Sequence, residues 1–216
     1  MFPWAQLPIG FESMRSYLGP SLAKMLQDVH VLQRISEDVG TDPNDIAAIH
    51  DIDNHQACIE ARLQENIYSL TEVDSLLVSL LVAAYLFSYS LFTSVWNGNA
   101  IPDSLSERLL GHLQKLFSDS LWRQWEQAIF WCIMVGGSLS PSSTTREQYD
   151  ILLRNNYKGW SGTFLDSWPT IEPFLENFIW SKQRFSDRGK SFWEASLQPA
   201  PSCTKESVDA PSPKFG

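Results

Sequence analysis

Eight consecutive residues, Ala128 to Val135 (AIFWCIMV), carry no polar side chain. The seven before them, LWRQWEQ, hold Arg123, Gln124, Glu126 and Gln127, so one side of that segment can face water. A helix that starts amphipathic and becomes apolar all round is entering the middle of a domain. The spacing therefore predicts a central helix over Leu121 to Val135. Gly136-Gly137 is expected to end it, because glycine tolerates the left-handed conformation that closes a helix C-terminus. Seven of the nine tryptophans (Trp122, Trp125, Trp131, Trp160, Trp168, Trp180 and Trp193) lie between this helix and Glu194. The C-terminal third is expected to fold around it.

The segments upstream read as helices by the same periodicity. Residues 1–20 hold three prolines and two glycines and are expected to be an irregular lead-in. Ser21 to about Asp38 places Leu22, Met25, Leu26, Val29, Leu32 and Ile35 (or Ser36) near one face, with Gly40 as its stop. Thr41 or Asp42 with Pro43 just inside is a helix start signal. The helix that follows, to about Tyr68, puts Ile49, Ile52, Ile59, Leu63, Ile67 and Leu70 on one side at 100° per residue. Asp51, His55, Cys58, Arg62 and Glu65 fall opposite. Thr71-x-x-Asp74 opens a third helix reaching about Trp96.

Leu76 to Trp96 is 21 residues without a charge, long enough to cross a bilayer. Five of them are Ser or Thr, and the flanks are acidic at Asp74 and Asp103, where a membrane span favours basic ones. Ser75, Ser79, Ala83, Ser90, Thr93 and Ser94 form a small-residue stripe that lets a neighbour pack closely. A soluble bundle is the expectation, with this helix inside it.

Asn97 to Pro102 reads as a turn and Ser104 to Ser118 as an amphipathic helix on Leu105, Leu109, Leu113 and Leu116. Beyond the central helix, Ser138 to Thr145 is a polar loop and Thr145 to Tyr157 a helix. Lys158 to Thr163 is a glycine-rich break. A helix from Ser167 to Trp180 has to accommodate Pro169 and Pro173, and Pro173 is expected to kink it or define its first turn. Ser191 to Ser196 forms one last helical turn. Residues 197–216 are rich in Pro and Ser and too poor in large apolar residues to order themselves. No alternating strand pattern occurs. The class is all-α, an irregular bundle of about seven helices, with one helical domain over residues 21–196.

Charge limits the partners. Of the 216 residues, 16 are Lys or Arg and 25 Asp or Glu, a net charge of −9. Met1 to Ser75 holds four basic and twelve acidic residues, so −8 sits in that third. Such a segment is repelled by phosphate backbones, and direct nucleic-acid binding is not expected. The three cysteines, Cys58, Cys132 and Cys203, are odd in number and widely spaced, which suits a reducing compartment. MFPWAQLPIGFE has neither the basic start nor the long apolar run of a secretory signal.

Chemistry-bearing constellations are few. HDIDNHQAC supplies His50, Asp51, Asp53, His55 and Cys58. Asp51, His55 and Cys58 share a helical face, but positions i and i+7 lie about 10 Å apart along the axis. They cannot chelate one zinc together, so this reads as a solvated face and no metal is expected. GWSGT at Gly159 to Thr163 lacks the second glycine and the preceding strand of a nucleophile elbow. Ser140-Pro141 and Ser212-Pro213 are formally phosphorylatable and read as parts of loops. Trp122, Trp125, Phe130, Trp131, Phe174, Phe178 and Trp180 line either the core or a ligand cleft, and aromatic residues at helical spacing favour the core. No catalytic or cofactor-binding residue is named.

The C-terminal block resembles the fungal-specific transcription factor domain, the helical regulatory region downstream of six-cysteine zinc-cluster DNA-binding modules. Trp131 to Gly137 carries the resemblance, with Ser167-Trp168, Phe174-Leu175-x-x-Phe178-Ile179-Trp180 and Phe192-Trp193-Glu194. Upstream, Tyr17-Leu18-Gly19-Pro20 with Leu22, Ile59-Glu60-Ala61-Arg62-Leu63 and Ala83-Ala84-Tyr85-Leu86 look like its earlier helices. It spans Met14 to Ser196. No C-x2-C-x6-C cluster or basic linker occurs in the chain, and Pro173 departs from the family's pattern. The resemblance implies a non-enzymatic, nuclear regulatory domain that senses an effector or contacts the transcription machinery or a partner regulator. A homodimer is a further expected assembly. A small helical enzyme or ligand-binding protein, or a membrane-associated helical protein, is the alternative.

Overall fold

A computed structural model describes residues 6–38, 46–70, 74–92, 100–118, 120–156 and 167–197. They form eight α-helices: α1 Arg15–Asp38, α2 Ile46–Leu70, α3 Ser75–Phe92, α4 Ala100–Phe117, α5 Glu126–Leu139, α6 Ser143–Asn156, α7 Trp168–Glu176 and α8 Lys182–Leu197. Two 3-10 segments, Ile9–Met14 and Ser120–Trp125, precede α1 and α5. Among the described residues there is no strand, and the all-α class holds. The expected caps at residues 40–43, the turn at 97–99, the break at 158–163 and the tail from 198 lie outside the described residues.

Helix α5 is buried on every side from Ala128 to Leu139, as its sequence requires. It packs against α3, α4, α6 and α8. Helix α3 shares the centre with it, touching α1, α2, α4 and α5. Ser79, Ala83 and Ser88 of α3 are fully buried. A partner approaches closely where side chains are this small. No helix among the described residues is long and apolar enough to cross a membrane. The start of α3 is held by Asp74, whose Oδ1 accepts the N–H groups of Leu76 at 2.9 Å and Leu77 at 3.0 Å. That is an N-cap bond to donors with no partner inside the helix. The Tyr17 hydroxyl donates to the other oxygen of Asp74, tying the beginning of α1 to the beginning of α3.

Four expectations need correction. The lead-in is not irregular throughout: Ile9–Met14 and the first turn of α1 are helical, and Phe11, Met14 and Leu18 are buried. Gly19, at φ 67° and ψ 172°, breaks α1 there, and Pro20 restarts it at the position where a missing N–H costs nothing. The predicted central helix is 3-10 up to Trp125 and α-helical from Glu126 to Leu139. Gly136-Gly137 does not stop it. Neither has positive φ, and a Cβ on Gly136 would fall within the Tyr149 ring, one on Gly137 within the Phe192 ring. The glycines are contact points for α6 and α8, and α5 runs on to Leu139, with Ser140 as its C-cap.

The third correction is the loop after α5, which is shorter than expected. Ser142 accepts the Thr145 N–H at 3.2 Å, its own N–H goes to Asp103 at 3.0 Å, and α6 begins at Ser143. The fourth concerns the C-terminal helices. The helix expected from Ser167 to Trp180 is α7, ending at Glu176, and the expected last turn at Ser191 is the end of α8, which starts at Lys182. Helix α8 carries Phe185, Phe192 and Trp193 into the core.

Candidate functional site: a cleft between α1 and the α7–α8 turn

Three elements claim the backbone of the turn between α7 and α8. Asn177 gives its carbonyl to the Gly10 N–H at 2.8 Å. The Ile179 carbonyl accepts the Trp131 indole N–H at 2.8 Å. The Trp180 carbonyl accepts from Gln33 Nε2 at 2.7 Å. The Asn177 and Phe178 N–H groups turn back three residues, to Phe174 at 3.1 Å and Leu175 at 2.9 Å, and close α7 at Glu176. The three carbonyl bonds pin the turn to the lead-in, to α5 and to α1 at once.

Beside it opens a cleft of about 620 Å³ lined by His30, Gln33, Arg34, Glu37, Glu176, Trp180, Lys182 and Gln183. Its volume falls in the range of small-molecule sites, roughly 300–1,000 Å³. Gln33 is 5% exposed and Trp180 1%. Gln33 Nε2 also donates to Glu37 Oε1 at 3.1 Å, so two acceptors fix the amide orientation and leave Oε1 pointing elsewhere. Gln33 Oε1, Trp180 Nε1 and His30 Nδ1 are all buried without a partner. So are two atoms next to the cleft, Ser181 Oγ and Glu172 Oε1. An unpaired buried polar atom costs about 1–3 kcal/mol, and several together approach the whole margin of a domain, about 5–15 kcal/mol. Such a cluster calls for an occupant that supplies the missing bonds, whether water or ligand.

The charged groups around the cleft are mostly engaged. Arg34 pairs with Glu37 at 3.5 Å, and Lys182 reaches Glu172 Oε2 at 3.2 Å. Glu172 is 7% exposed. Two carboxylates (Glu37 and Glu176) thus stand against two cations (Arg34 and Lys182) in the lining, with Glu172 held behind Lys182. Burial holds the His30 imidazole below its usual pKa of 6.5, while its bond to the Gln6 carbonyl pulls the other way. With Nδ1 unpartnered, the nitrogen that meets the Gln6 carbonyl is Nε2, and in the neutral ring Nδ1 is an acceptor.

A second cleft of about 470 Å³ lies at the Gly19 break, lined by Leu7, Arg15, Ser16, Gly19, Pro20, Ala23, Lys24 and Gln27. Both of its cations are held, Arg15 by Glu12 at 2.7 Å and Lys24 by Asp28 at 2.6 Å.

The features singled out in the sequence distribute differently. Asp51, His55 and Cys58 are exposed along the outer face of α2, and no group of metal-ligating side chains assembles among the described residues. Cys58 and Cys132 are free thiols, exposed and buried. Ser140 is 8% exposed, so its hydroxyl is not presented for modification. The aromatic set divides. Trp131 is fully buried between Phe11, edge-on at 5.2 Å, and Phe178, stacked at 6.2 Å. Phe130 meets Phe174 and Trp193, Trp122 meets Phe117, and Trp125 lies on Tyr17. Trp180, expected on a long helix against the central one, sits in the turn with its ring against Trp168 and Phe185. It is the member of the set that reaches the cleft; Trp131, Phe130 and Phe178 are core.

Sequence reasoning did not find His30 and Gln33. Gln33 sits in a helix otherwise read from its apolar stripe, and its one signal is position: it follows Leu32 on the edge of that stripe. No protein-family model, curated protein or solved structure matches the chain.

Proposed function

We propose that the chain is a non-catalytic regulatory domain of the fungal transcription factor type, acting in the nucleus through protein contacts and effector binding. One observation carries this reading. The C-terminal residues of the resemblance, from Trp131 to Glu194, are scattered over more than sixty positions, and they meet around one junction. Trp131 bonds Ile179 and stacks on Phe178, Gly137 receives Phe192, and Phe130 touches both Phe174 and Trp193. The separate motifs thus describe one packing unit, which supports treating them as a family pattern. The acidic balance supports action through proteins in preference to nucleic acid.

The test is a tethering assay. Fused to a separate DNA-binding module, the domain should change transcription of a reporter carrying that module's site. Trp131→Ala should abolish the change, by unfolding the junction. A fusion that accumulates folded and leaves every reporter unchanged counts against the transcriptional role. The second reading, a ligand-binding helical protein outside transcription, is favoured by the cleft and survives that outcome.

A further inference from the structure

We propose that the cleft between α1 and the α7–α8 turn binds a small ligand bearing a primary ammonium beside a hydrogen-bond acceptor, the pattern of an α-amino acid. This goes beyond the regulatory reading, since binding is measured without any transcriptional readout.

The unmet groups set the chemistry. Gln33 Oε1 and Trp180 Nε1 belong to side chains that line the cleft and are more than nine-tenths buried, and neither has a partner. One accepts and the other donates. His30 Nδ1 adds a second acceptor, its ring held neutral by burial. Glu176 adds an exposed carboxylate on the rim. Acceptors therefore outnumber donors, and an ammonium, with three N–H donors and no acceptor, meets that surplus. The Trp180 indole N–H requires an acceptor on the same ligand, such as a carboxylate or amide oxygen. A phosphate or other strong anion fits poorly. The lining cations Arg34 and Lys182 are each held by a glutamate, which leaves neither free to meet an anion. Gln33 Oε1 and Trp180 Nε1 are closed to solvent, so a ligand reaches them only as the wall of the cleft opens. The pairs Gln33–Trp180 and Trp131–Ile179 hold the floor in place meanwhile.

The experiment uses the full chain labelled with nitrogen-15, titrated separately with each of the twenty common L-amino acids and with its N-acetyl derivative. The indole N–H resonance of Trp180 is identified as the one missing from Trp180→Phe, or by sequential assignment if that variant does not fold. At least one free amino acid should move that resonance and raise the melting temperature, and its N-acetyl derivative should do neither. Glu176→Gln changes an exposed residue, so it should leave the unliganded melting temperature unchanged while weakening binding about tenfold through loss of a charged acceptor. Three results overturn the proposal. They are a Trp180 resonance that no free amino acid moves, an N-acetyl derivative that acts as well as the free one, and a Glu176→Gln protein that binds as tightly as the unaltered chain.

Discussion

Trp131 concentrates the physics of this molecule in one side chain. An indole that is fully buried must find an acceptor for its N–H, and it finds the Ile179 carbonyl at 2.8 Å. The same ring meets Phe11 edge-on and lies parallel to Phe178, while Phe11 and Phe178 meet each other at 4.9 Å. Truncating it removes burial, opens a cavity and strands a carbonyl. Trp131→Ala should therefore cost about 3–5 kcal/mol, a large share of a margin near 5–15 kcal/mol. Because the three rings form one contact set, Phe11→Ala and Trp131→Ala should be less than additive. The second truncation enlarges a cavity already present, and couplings of about 0.5–3 kcal/mol are usual between touching residues. Chemical denaturation of the two single variants and the double variant measures this. Strict additivity would mean that the lead-in does not pack as described. The burial of Trp131 was legible in the sequence, because no polar residue lies within three positions on either side. Its partners were not, because Phe11 lies 120 positions away in a stretch whose prolines and glycines disguise it as a loop.

At the scale of elements, the glycines of α5 carry the clearest disagreement between local rules and tertiary packing. Propensity alone says that Gly→Ala inside a helix gains up to about 1 kcal/mol. At Gly136 and Gly137 the added methyl would enter the rings of Tyr149 and Phe192, and overpacking costs about 1–3 kcal/mol. Tyr149 has little room to yield, since its hydroxyl donates to the Ser106 carbonyl at 2.7 Å. Gly111, in the middle of α4, has nothing within 4 Å of such a methyl. Gly136→Ala and Gly137→Ala should therefore lower the melting temperature, and Gly111→Ala should raise it, although all three are helical glycines. Thermal unfolding of the three variants decides this, and a uniform gain would mean that the Tyr149 and Phe192 rings do not crowd the pair. The same contrast explains which elements the sequence disclosed. Stripes such as Ile59, Leu63 and Ile67, all buried in α2, announce a helix through local spacing. The turn after α7 does not, because Gly10, Trp131 and Gln33 hold it in place from three distant elements. The candidate cleft inherits that invisibility, being built around the same turn. Its residues are unremarkable singly and acquire meaning only where α1 meets the α7–α8 turn.

For the whole molecule, two partly buried titratable groups give the pH dependence of stability opposite slopes. Burial lowers the pKa of His30 from 6.5. Between that value and the folded one, the unfolded chain binds more protons, so stability is full above 6.5 and is lost as the pH falls through this window. Glu60 behaves in reverse. Burial raises its pKa from 4.5, although the Gln56 amide at 2.6 Å and the Ser88 hydroxyl at 3.3 Å favour its charge. Above 4.5 the unfolded chain has released a proton that the folded one still holds. The contribution of Glu60 is therefore full below 4.5 and is lost as the pH rises through the folded value. The two groups lie on different helix pairs, His30 beneath the cleft on α1 and Glu60 between α2 and α3, so they can be separated by substitution. Glu60→Gln keeps the shape and removes the charge, and it should gain stability relative to the unaltered chain as the pH rises from about 4.5 to neutrality. His30→Gln should flatten the loss of stability between neutrality and the acid side of 6.5, leaving the Glu60 slope in place. Denaturant midpoints across that range, taken for the two variants and the unaltered chain, test both at once. Parallel curves for all three proteins would mean that neither group changes its proton affinity on folding, and that the interior around them is wetter than the packing of α1, α2 and α3 requires.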